Sequence, residues 1–84
     1  MGYEVKWTRR AEQELDQYDL SDVEMRALED AMRRVEAALA EDPRAVGIMQ
    51  LVSTRILTDT PLGIVYVIID DDKIVIVSSA WFFK

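Results

Sequence analysis

Cysteine and histidine are both absent from this 84-residue chain, and each absence removes a class of chemistry. Without cysteine there is no disulfide staple and no thiolate nucleophile. Without histidine there is no imidazole acid or base, and with both missing the usual zinc ligands are gone. Catalysis, if any, must rest on carboxylate, Lys, Arg, Tyr or hydroxyl groups. No apolar run reaches the roughly 18 residues of a membrane-spanning helix, and Met1 to Arg10 lack the apolar stretch of a signal peptide. Lys6 stands where N-myristoylation requires Ser or Thr. These features, and the missing cysteines, point to a soluble cytoplasmic protein. An excess of positive charge is lacking too. Ten Lys and Arg against 16 Asp and Glu leave a net charge of -6, which argues against extensive nucleic-acid binding, since that affinity comes from basic side chains displacing counterions from phosphates.

What is present fits one domain, residues 1–84, half of it apolar. A domain of this size buries only about 60 to 65% of its unfolded surface, so a partner surface is an early expectation. Residues 1–47 carry 12 acids and 7 bases, whereas residues 48–84 carry 4 acids and 3 bases and 21 apolar residues. With no repeat and no Gly/Ser linker, a helical first half and a sheet-forming second half should pack as layers.

Tyr3-Glu4-Val5-Lys6-Trp7 alternates apolar and charged residues as a half-buried strand does. Thr8 is placed to cap a first helix whose Ala11, Leu15 and Tyr18 share one face. Ser21-Asp22-Val23-Glu24 has the form of a capping box. Beyond it Met25, Leu28, Met32, Val35 and Leu39 step by three and four, predicting a second helix to about Glu41 that buries both methionines and stops at Asp42-Pro43. The two helices make an antiparallel hairpin suited to covering one sheet face. Strands follow at Leu51 to Thr58, Ile64 to Ile69 and Lys73 to Phe83, with turns at Asp59 to Gly63 and Asp70 to Asp72. The expected architecture is α+β in the order βααβββ, with the helix hairpin on one face of a small antiparallel sheet.

The last two strands pose a burial problem. Ile64, Tyr66, Ile68, Ile74 and Ile76 are expected on one face, and Val65, Val67, Ile69, Val75 and Val77 on the other, so both faces are apolar while one hairpin covers a single side. Left bare, the second face would exceed the apolar patch usual for a soluble monomer. Its cover would be the loop Arg44 to Gln50, a second copy of the chain, or another protein.

Tyr3-x-Val5-x-Trp7-Thr8, Ala11-Glu12-x-x-Leu15, the helix end Asp42-Pro43-Arg44 and the hairpin Ile64-Val65-Tyr66-x-Ile68-Ile69-Asp70-Asp71-Asp72-x-Ile74-x-Ile76 together resemble the RelE/ParE superfamily of bacterial type II toxin-antitoxin (addiction, plasmid-stabilisation) modules. The resemblance spans nearly the whole chain and rests on the order and spacing of these segments. It implies a RelE/ParE-like fold and an antitoxin that wraps the toxin. For activity it implies either ribosome-dependent mRNA cleavage or inhibition of gyrase. Two positions depart from the family pattern. Gly63 stands where an Arg often precedes the Tyr, and Trp81-Phe82-Phe83-Lys84 replaces the usual His-Arg or basic-aromatic ending.

Candidate site residues fall into two sets. Arg55, Lys73 and Lys84 could form a small anion site with Tyr66 as phenolic acid or base, the groups an endoribonuclease would use; equally, Arg55 could lie on a solvated strand and Tyr66 in the core. Val65, Val67, Trp81, Phe82 and Phe83 are the candidates for partner binding, because aromatics are enriched at interfaces. The partner would be an antitoxin or a second copy, the latter making a homodimer through the last strand. Asp70-Asp71-Asp72 lacks the alternation and glycine of a calcium loop and reads as a turn. No metal or cofactor is expected. Arg9-Arg10 and Arg33-Arg34 lie near Glu12, Glu29 and Asp30 and read as helix-surface pairs.

Overall fold

The computed structural model describes residues 2–50 and 53–84. Strand β1 (Glu4–Trp7) leads into helix α1 (Arg9–Asp16), where the Thr8 hydroxyl accepts from the Ala11 backbone N–H. Helix α2 (Asp22–Glu41) begins at the expected capping box: Ser21 Oγ accepts from Glu24 N–H at 3.1 Å, and Glu24 Oε1 accepts from Ser21 N–H at 3.0 Å. Asp42-Pro43 ends α2 and at once caps a one-turn helix, α3 (Pro43–Val46). The remaining strands are β2 (Ile48–Met49), β3 (Thr54–Asp59), β4 (Leu62–Ile69) and β5 (Ile74–Phe82).

The expected α+β layering is present: helices lie on a five-stranded, mostly antiparallel sheet of order β1-β5-β4-β3-β2. The element order βααβββ gains α3 and the two-residue β2. β1 runs parallel to β5, Val5 opposite Val75 and Trp7 opposite Val77. That exception to an antiparallel sheet follows from the α1–α2 excursion, which carries the chain across the sheet before the meander starts. The third strand begins at Thr54, and the part expected at Leu51 and Val52 lies outside the described residues. The turn expected over five residues is confined to Thr60-Pro61, so Leu62 and Gly63 belong to β4.

One side of the sheet carries the core. Ala11, Leu15, Leu28, Ala31, Val35 and Leu39 of the helices pack on Leu62, Ile64, Tyr66, Val75, Val77 and Ala80. The expected facing of the last strand is reversed here: Ile68 is opposite Val75 and Tyr66 opposite Val77, so the valines turn toward the helices and Ile74 and Ile76 turn away. An irregularity between Val65 and Tyr66 then lets the register slip by one. Because side chains alternate with period two, the extra residue on β5 allows Val75, Val77 and Ala80 all to be buried on one side. Glu14 of α1 holds the bulged segment, accepting from Ser79 Oγ at 2.8 Å and from Ala80 N–H at 3.1 Å. Met32 packs against the core as expected, but Met25 is exposed. Of the basic pairs, Arg33 pairs with Asp30, whereas Arg10 pairs with Glu14 and Arg34 leaves its own helix for Asp59 on β3 at 2.9 Å.

Candidate protein-binding face

The sheet surface turned away from the helices is assembled from alternate residues of every strand. The pairing register places Val65, Val67 and Ile69 of β4 beside Ile74 and Ile76 of β5, with Ile56 of β3 next to Val65. Ile48 of β2 extends the patch and is 78% exposed. Ile64, Tyr66, Val75 and Val77, which alternate with these residues and face the helices, are buried, whereas Ile56, Val65, Val67, Ile69, Ile74 and Ile76 are half-buried. Polar groups stand at the margins of the patch: Glu4 and Lys6 on β1, and Thr54 and Thr58 on β3.

The segment Arg44 to Gln50, considered above as a cover for this face, lies elsewhere. Tyr66 projects to the helix side and donates its hydroxyl hydrogen to Pro43 O at 2.7 Å. Opposite Tyr66 on β3, Arg55 projects the same way and its Nη2 donates to Arg44 O and Gly47 O, each at 2.9 Å. Gly47 lies against the Tyr66 hydroxyl so closely that any side chain there would collide with the ring. Three carbonyls thus tie the segment to the helix side. From there β2 continues the sheet edge, with Gln50 N–H donating to Thr54 O at 2.9 Å. Among the described residues, no helix or loop of the chain crosses the open face.

The expected binding residues divide across the sheet. Val65 and Val67 are in the open patch, and Trp81 lies at its end, opposite Gly63. Phe82 turns to the helix side, where its ring centroid is 5.8 Å from that of Tyr18. Phe83 follows the strand and is anchored by its backbone N–H to Pro61 O at 2.8 Å.

The expected anion site is not assembled. Arg55 and Tyr66 are adjacent, but Arg55 is engaged with main-chain carbonyls and Tyr66 is fully buried, its phenol pushed above the ordinary value chiefly by that burial. Lys73 belongs to the β4–β5 turn, with Nζ 5.1 Å from the centre of the Tyr3 ring. Lys84 lies past the other end of β5 and pairs with Glu24 at 2.9 Å. Lys73 and Lys84 flank a nine-residue strand, which spans roughly 30 Å when extended. In its place the fold builds ion pairs whose order sequence spacing does not reveal. Arg44 grips Asp70 with both arms of its guanidinium, and Tyr3 Oη donates to the same carboxylate at 3.2 Å, holding Asp70 below the usual carboxylate range. No group of His, Cys, Asp or Glu side chains among the described residues is arranged to hold a metal ion, and no helix among them is long and apolar enough to cross a membrane.

This geometry, helices packed on one face of a five-stranded, mostly antiparallel sheet with its second face open, is a RelE-like fold. The chain is similar to a chain of the toxin-antitoxin complex RelBE2 from Mycobacterium tuberculosis, with a TM-score of 0.79 at 19% sequence identity over 98% of this chain and 99% of the other. No protein-family model and no curated protein matches the sequence.

Proposed function

We propose that this chain is the toxin-fold member of a toxin-antitoxin pair and that its principal activity is to hold an antitoxin on the open face of the sheet. The observation that carries the reading is the apolar patch around Val65, Val67 and Ile76, which the chain's own elements leave uncovered. Covering such a patch is worth about 25 cal/mol per Å² of apolar surface, and an unpartnered patch of this kind is a liability in solution. The RelBE2 neighbour, itself a toxin-antitoxin complex, supports the class of partner.

Endoribonuclease chemistry is the weaker reading. It requires a general base and positive charge converging on one phosphate, each acid or base contributing about 10² to 10⁴-fold. Here the two lysines flank opposite ends of β5, and Tyr66 and Arg55 are committed to backbone carbonyls. A homodimer through the same face is a competing occupant of the patch, and the -6 charge on each copy opposes it.

Co-expression with any small open reading frame found adjacent to its gene tests the proposal. The two products should co-purify, Val67→Asp and Ile76→Glu should each abolish the complex while the far-UV spectrum is retained, and transcripts should stay intact when the chain is induced alone. Face variants that bind as tightly as the parent would overturn it, as would mRNA cleavage lost in Arg55→Ala.

A further inference from the structure

The two long helices do not close on each other. α1 is seated on β5, and α2 rests on β1, β4, β5 and α3, leaving a groove of about 490 Å³ between them. Buried Leu15 and Leu28 form its floor, with Met32 half-buried and Met25 42% exposed along the α2 wall. Carboxylates rim both walls: Glu12 and Asp16 one turn apart on α1, and Glu29 on α2. Among the described residues none of these three acids is in an ion pair, whereas neighbouring Glu14 and Asp30 are matched by Arg10 and Arg33.

We propose that this groove docks a cationic amphipathic helix. Met25, Leu28 and Met32 recur at i, i+3 and i+7 and so present two turns of apolar wall, about 10 Å long. That length suits the apolar edge of a second helix lying alongside. Methionine side chains repack at low cost around differing partners. Lys or Arg on the visitor's two flanks would meet carboxylates on both sides, while an acidic segment or an anionic lipid surface would be repelled. An extended segment would find no main-chain partners, because both walls are helices whose backbone groups are satisfied internally. The groove lies on the helix layer, so the proposal stands independently of the antitoxin on the open sheet face.

The test uses a synthetic helical peptide of about 14 residues, with Leu along one edge and Lys on both flanks, and a twin with Glu in place of every Lys. Each is titrated into the isotope-labelled chain at about 50 and about 300 mM salt. The Lys peptide should bind, with chemical-shift changes centred on Leu15, Leu28 and Met32 and affinity falling with salt, while the Glu twin should not. Asp16→Lys combined with Glu29→Lys should weaken binding at least about tenfold. Asp71→Lys with Asp72→Lys, an equal charge change in the β4–β5 turn, should leave it unchanged. The proposal is overturned if the twin binds equally, if both double variants weaken binding alike, if the shifts map to Val67 and Ile76, or if the Lys peptide does not bind.

Discussion

Gly63 and Trp81 face each other across β4 and β5, and the Trp81 indole lies in the space that a side chain at position 63 would occupy. The pair closes one end of the open sheet face. A larger residue at position 63 would have to evict the ring. Gly63→Ala should therefore displace the indole and cost about 1–3 kcal/mol, the usual penalty of overpacking. A lower urea midpoint and red-shifted Trp81 emission, read in a Trp7→Phe background, are the expected results.

Tyr66 connects the core to the segment after α2 through a single buried hydrogen bond to Pro43 O. Tyr66→Phe keeps the ring and deletes the donor, leaving a carbonyl without its partner. A loss of about 0.5–1.5 kcal/mol is expected, measured by chemical denaturation. Amide exchange should accelerate in residues 43–50 more than in β5, since the loosened element is local.

Ser21 and Glu24 satisfy each other's backbone donors at the start of α2. Ser21→Ala should cost about 0.5–2 kcal/mol, whereas Ser53→Ala, an exposed hydroxyl just before β3, should be close to neutral. Equal losses in thermal midpoint for the two would contradict the cap's role.

Glu14, Asp59 and Asp70 all titrate below their ordinary values. The Ser79 hydroxyl bond is the main cause for Glu14, the Arg34 bond for Asp59 and the Arg44 bond for Asp70. A carboxyl with a lowered folded-state pKa contributes stability that is present above its unfolded value and is lost as pH falls through the folded one. Stability should therefore be level near neutrality and decline below the ordinary values of 4.5 for Glu14 and 3.8 for Asp59 and Asp70. Glu14→Gln should flatten part of that acid limb in denaturation midpoints taken across pH 2–6.

Local physics was legible in the sequence wherever one residue's neighbours in the chain settle its state. The capping box at Ser21, the 3.6-residue stripe of α2, the stop at Asp42-Pro43 and the apolar character of both faces of β4 and β5 follow from spacing alone. The candidate site was legible only in part. Val65 and Val67 are where alternation put them relative to Tyr66, but no local signal separates Phe82, which joins Tyr18 under the helices, from Trp81, which lies over Gly63. Met25 fits the helical stripe and is nevertheless exposed, because α1 is too short and too close to β5 to reach it.

Composition and periodicity by themselves determined that this chain forms two amphipathic helices and a sheet greasy on both sides, without thiol or imidazole chemistry. Only the tertiary structure decided which side stays open. The parallel pairing of β1 with β5, the bulge opposite Val65 and Tyr66, and the anchoring of residues 43–47 by Arg55 and Tyr66 join groups far apart in the chain. A one-residue slip exchanges the two faces of a strand, so the facing of Val75 and Val77, and with it the identity of the open surface, depends on partners that no local pattern specifies.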